Sequence, residues 1–123
     1  MARRMITPPI PRERALRAAA LLLCEAQFHP PIQRALQKAI TRLETLVWCY
    51  GQDTGELIIQ SASTPGRWYH VTNAACDCRA AREDLICWHA AAWWILYLAD
   101  ALGRYAAARA AAGAGWRGSG RNL

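Results

Sequence analysis

Cys76-Asp77-Cys78, then eight residues, then Cys87-Trp88-His89, is the stretch that decides how this chain is read. Four residues of metal-ligand type fall within fourteen positions. Zinc in proteins favours a tetrahedron of thiolate and imidazole donors. Cys76, Cys78, Cys87 and His89 are therefore expected to hold one structural Zn2+. Cysteines two apart on an extended chain point to the same side, so Cys76 and Cys78 can act as one clamp. Positions two apart inside a helix face nearly opposite ways. Cys87 is expected just before a helix and His89 in its first turn, with Asp84 as a capping residue. Four protein donors leave no open position for the water of a catalytic zinc. The His-x-Glu and Pro-Cys-x-x-Cys pattern of nucleobase deaminases is missing, as is any phosphate-binding glycine loop. The expectation is a structural site in a protein that is not an enzyme. Cys24 and Cys49 sit in apolar helical stretches and read as small buried residues.

Outward from the cysteines, the chain divides by periodicity and breakers. Upstream, the joint Ser63-Thr64-Pro65-Gly66 predicts a β-hairpin with strands at about 56–62 and 67–72. Gly51-Gln52-Asp53-Thr54-Gly55 separates it from a helical region. There Ile32, Ala35, Leu36, Ala39, Ile40, Leu43, Leu46, Val47 and Tyr50 recur at helical spacing, predicting a helix from about Pro31 to Tyr50. A first helix from Pro11 to about Gln27 precedes it, and His29-Pro30-Pro31 ends that helix. The short connection predicts a helical hairpin. Downstream, a long helix is expected from about Trp88 to Ala111. The expected fold is α+β: a helical hairpin, a β-hairpin, a zinc knuckle and a long C-terminal helix packed as one small domain. Its parts are a basic Pro-rich arm at 1–11, the helical hairpin at 12–54, the zinc module with its helix at 55–112, and a flexible Gly/Arg tail at 113–123.

The order Cys-x-Cys…Cys-x-His, after a β-hairpin and before a helix, resembles the SWIM zinc finger. Tyr69-x-Val71 matches the aromatic-x-aliphatic strand before the first cysteines, and His89 opens a helix through Ala90-Ala91-Ala92 as in that family. The likeness covers about residues 55–100. It departs at Trp88, where the family often carries a basic residue. SWIM fingers occur in transposases, Swi/Snf-type ATPases and recombination factors. The resemblance implies binding to DNA, to protein or to both, and no enzymatic activity.

Charge places the binding surfaces away from the zinc loop. The 123 residues carry a net charge of +6. Residues 1–50 and 101–123 are basic, whereas residues 51–100 carry more acidic than basic side chains. Basic surfaces attract nucleic acid. Arg3, Arg4, Arg12, Arg14, Arg34, Lys38, Arg42 and Arg67 are the candidate nucleic-acid contacts, with DNA placed ahead of RNA. In the last helix, Trp93 to Leu98 is apolar on every side. Trp94, Ile95, Leu98, Leu102 and Tyr105 are expected to face the core, and Trp93, Tyr97 and Arg104 to offer a protein partner a second face. The alternative is a protein–protein subunit with structural zinc and no nucleic-acid contact. No segment approaches the roughly 18–20 apolar residues of a membrane span. Five cysteines, an odd number, without a convincing export signal point to a reducing, cytoplasmic setting. No small-molecule substrate is expected.

Overall fold

The computed structural model describes residues 10–78 and 86–116, with side chains through residue 112. Helix α1 spans Arg12–Glu25, and Pro11 opens it with its fixed φ and missing N–H. Helix α2 spans Pro30–Thr45, with two prolines in its first turn. Strands β1 (Trp48–Gly51), β2 (Glu56–Gln60), β3 (Trp68–Thr72) and β4 (Ala75–Cys76) follow. Helix α3 spans Trp88–Trp116. The fold is α+β, as its residues imply. The four strands form one antiparallel sheet in the order β1-β2-β3-β4.

Two strands lie where the periodicity suggested otherwise. The second helix stops at Thr45 instead of Tyr50, because Leu46 turns extended (φ −103°, ψ 159°). Trp48 then folds back, and its indole N–H donates to the carbonyl of Leu43 at 2.9 Å. That carbonyl belongs to the last helical turn, where acceptors lack helical partners. Trp48 to Gly51 pairs instead with Ile59 to Glu56, and Tyr50 joins Leu57, Ile59 and Val71 in the core. Strand β4 arises from a two-residue turn at Asn73 and Ala74, both with positive φ (53° and 62°). Such a turn matches the twist of the strands it joins. It sets Cys76 opposite Val71.

Helix α3 packs against α1 and α2 and also against β2, β3 and β4. This explains a helix that is apolar on nearly all sides. Ala92, Ile95, Leu96 and Ala99 are fully buried, joined in one core by Ala18, Ala19, Leu36 and Ala39. Ile95 is buried and Leu98 and Leu102 pack on the core as expected, but the aromatic residues are placed differently. Trp93 is only 4% exposed, whereas Trp94 is 47% and Tyr105 61% exposed. The indole N–H of Trp93 donates to the Gly55 carbonyl at 2.7 Å, so the ring enters the core with its polar atom satisfied. Gly55 holds a left-handed conformation (φ 69°) that suits glycine, and this aims its carbonyl at the helix. Helical backbone continues to Trp116, into the segment expected to be a flexible tail. The arm residues 1–9 and the tail beyond 116 lie outside the described residues. No helix among the described residues is long and apolar enough to cross a membrane.

Candidate metal centre

The donor atoms of Cys76, Cys78, Cys87 and His89 all lie within 4.8 Å of one another. Cys76 ends strand β4, and Cys78 follows two residues later, so the positive-φ turn delivers both thiols to one place. Cys87 and His89 flank the first residue of α3. Cys78, Cys87 and His89 are buried and Cys76 half-buried. The buried Nδ1 of His89 has no hydrogen-bond partner among the described residues. A buried polar atom without a partner is costly. Three thiols and an imidazole converging there form the donor set of a closed tetrahedral metal site. The residues fit one metal ion.

The helix cap falls to a ligand. The Cys87 sulfur accepts the N–H of Ala90 at 3.3 Å, which is the N-cap geometry for α3. Asp84, the expected cap, lies outside the described residues. The thiols share their protons unequally. The hydrogen bond from Cys76 pulls Cys87 down to about 4, and bonds from His89 and the Ala90 amide add to that effect. The Cys76 thiol moves the other way, held up by its hydrogen bond to Cys87 and by burial. The thiolate is the form of cysteine that binds metal.

The imidazole of His89 is held between two rings that the sequence did not single out as its supports. Trp88 lies 4.1 Å from it between ring centroids, tilted by 32°, and Tyr69 lies 4.4 Å away, tilted by 43°. A guanidinium covers each outer ring: Arg42 stands 5.8 Å from Trp88 and Arg67 stands 5.0 Å from Tyr69. The hint in the sequence was the aromatic placed between the last two ligands and the aromatic two before Val71.

The remaining cations divide into paired and unpaired. Arg12 donates through Nε to Glu44 at 2.8 Å. Arg104 donates to the buried carboxylate of Asp100 at 2.7 Å, which also accepts from the Gln52 amide at 2.6 Å. Arg34, Lys38, Arg42 and Arg67 have no carboxylate partner among the described residues. Arg14 crosses α3 at Gly103, where a Cβ would meet its guanidinium. Arg3 and Arg4 lie outside the described residues. Of the expected partner face, Trp93 is buried, while Tyr97 is 43% exposed and stacks on it at 4.9 Å; Trp94, 47% exposed, adds to the outer surface. Cys24 is exposed and Cys49 lies half-buried on β1, so neither is the buried helical cysteine expected. No known protein family, curated protein or solved structure matches the chain, and the SWIM likeness rests on the motif residues alone.

Proposed function

We propose that the chain is a non-catalytic adaptor of SWIM-like type, stabilised by one zinc ion. It binds nucleic acid, DNA ahead of RNA, and a protein partner inside a larger nucleoprotein assembly of the cytoplasm. The observation that carries this reading is the closed, largely buried four-donor set at the junction of β4 and α3. With four protein donors the metal has no vacant position for substrate, so it serves as a joint and the work falls to the surfaces it fixes. The unpaired cations of α2, with Arg67 just before β3, are the surface for phosphates. Trp94 and Tyr97, exposed side by side on α3, are the surface for protein.

One experiment tests both halves. Metal analysis should find one zinc per chain, lost in Cys87→Ser and in His89→Ala but kept in Cys24→Ser and Cys49→Ser. The zinc-loaded chain should retard DNA in low-salt gels and release it as salt rises. A chain that folds without metal, or one that binds no nucleic acid at low salt, overturns the corresponding half. A second reading, a protein–protein subunit, draws on an open apolar groove of about 960 Å3 lined by Leu22, Ile32, Leu36, Ile86, Ala91 and Trp94. Phe28, 90% exposed, adds to the unburied apolar surface. Co-purification with one protein in the presence of nuclease, without retardation of DNA, is the outcome that favours it.

A further inference from the structure

Four of the cations without a carboxylate partner fall in line, while Arg14 and Arg17 lie on α1 and Arg109 on α3. Arg34, Lys38 and Arg42 stand at i, i+4 and i+8 on α2. They share one helix face and advance about 6 Å per step. The last of them, Arg42, rests on Trp88. From there the rings of Trp88, His89 and Tyr69 pass in sequence to Arg67. The line runs from a helix, over the metal centre, to the head of a strand. Trp68, next in the chain, alternates with Tyr69 and so faces the other side of the sheet, at the end of β3 that β4 does not pair; it is 43% exposed and has no ring or cation partner among the described residues. Arg12 and Arg104 are set apart, because each already holds a carboxylate.

We infer that Arg34, Lys38, Arg42 and Arg67 form one track for the phosphates of a single-stranded nucleic acid, with Trp68 receiving an unpaired base and the Trp88–His89–Tyr69 stack holding the two halves of the track in register. This rests on the nucleic-acid reading above and names where and in what form the ligand binds. Guanidinium groups that lie on aromatic faces keep their in-plane N–H donors for phosphate oxygens. An unpartnered indole face stacks on any base, but a duplex buries its base faces. The ribose and deoxyribose backbones share this phosphate and base chemistry. The metal contributes by fixing His89, against which both supporting rings rest.

The test uses the full-length, zinc-loaded chain and fluorescently labelled oligothymidylate and oligouridylate of about 20 nucleotides, longer than the site of a typical single-strand module. Anisotropy is read across a salt series, with zinc content and circular dichroism checked for each variant. Lys38→Ala, Arg42→Ala and Arg67→Ala should each weaken binding by about 5-fold at 0.1 M salt and lower the salt slope by about 0.7. Lys38 is exposed on a helix surface and makes no side-chain hydrogen bond or ion pair among the described residues, so its removal leaves folding intact. Trp68→Ala should weaken binding roughly 10-fold with the slope unchanged. Arg109→Ala, which removes the same charge from the exposed far end of α3, outside the track, should bind as wild type. Comparison of the two oligonucleotides shows whether the sugar matters. If wild type binds but the three track variants keep its affinity and slope, the track is wrong while the nucleic-acid reading stands. If duplex binds as tightly as single strand and Trp68→Ala changes nothing, the single-strand assignment falls. If wild type binds neither oligonucleotide at low salt, the broader reading falls with it.

Discussion

At the scale of single residues, the metal centre is organised by side chains that do two jobs each. Cys87 is a donor and also the cap of α3. His89 is a donor and also the middle ring of a three-ring stack. The four ligands were legible from spacing and residue type. Their supports were not, since Tyr69 and Trp88 are nineteen positions apart and meet only because β3 and α3 pack together. Tyr50 gives a separate residue-scale prediction. Its phenol is pushed above its usual range, first by burial and next by the carboxylate of Asp100. The folded state therefore resists ionising a group that the unfolded chain ionises near pH 10. Tyr50 costs no stability below that pH, and stability is lost as pH rises from about 10 through the raised folded value. Thermal melts of wild type and Tyr50→Phe should run parallel below pH 9 and separate above pH 10, with the variant the more stable. Parallel behaviour throughout the alkaline range would show that Tyr50 ionises as easily folded as unfolded.

At the scale of elements, the readable parts were those with strong local signals. Prolines mark the starts of α1 and α2, and Pro65-Gly66 marks the β2–β3 connection, where Gly66 takes φ 81°. Two elements were hidden. Leu46, Val47 and Tyr50 continue the helical spacing of α2, yet Tyr50 reaches the core from a strand. Local periodicity does not see the pairing of 48–51 with 56–59, which decides the matter. Strand β4 was hidden because its turn reads Asn73-Ala74 and lacks the glycine that signals such a hairpin. An alanine at φ 62° holds a conformation unfavourable for L-residues by roughly 1–2 kcal/mol. Glycine would relieve it but loses more entropy on folding, by about 0.5–1 kcal/mol. Ala74→Gly should therefore stabilise the zinc-loaded protein by up to about 1 kcal/mol in urea unfolding. Zinc affinity should be equal or higher, since the turn presents Cys76. A clear destabilisation would mean that the apolar contacts of the Ala74 methyl in the core outweigh the strain.

At the scale of the whole molecule, α3 is the element that every other layer uses. Helices α1 and α2 cover one part of its surface through alanine-rich contacts that involve no metal ligand. The sheet meets it through β2, β3 and β4 and through the bond from Trp93 to Gly55. The metal donors sit at the start of α3, where the shortest strand of the sheet delivers its two cysteines. A two-residue strand on a strained turn has little pairing energy of its own. Without metal, the imidazole of His89 keeps a buried nitrogen unsatisfied. Structural zinc contributes on the order of 10–16 kcal/mol in small zinc peptides. The total stability of a domain is only about 5–15 kcal/mol. Metal removal is therefore expected to abolish the single cooperative unfolding transition, not merely to lower its midpoint. The loss should be uneven. The α1–α2–α3 contacts survive as helical far-UV signal, while the tertiary signal of Trp88 and the protection of the β3 and β4 amides from hydrogen exchange disappear. Chelator treatment followed by calorimetry, circular dichroism and amide exchange measures all three, and added zinc should restore them. A metal-free chain that melts cooperatively at the zinc-loaded midpoint would show that α3 is anchored by its apolar contacts alone. The proposed phosphate track across the metal centre would then need no metal to hold its register.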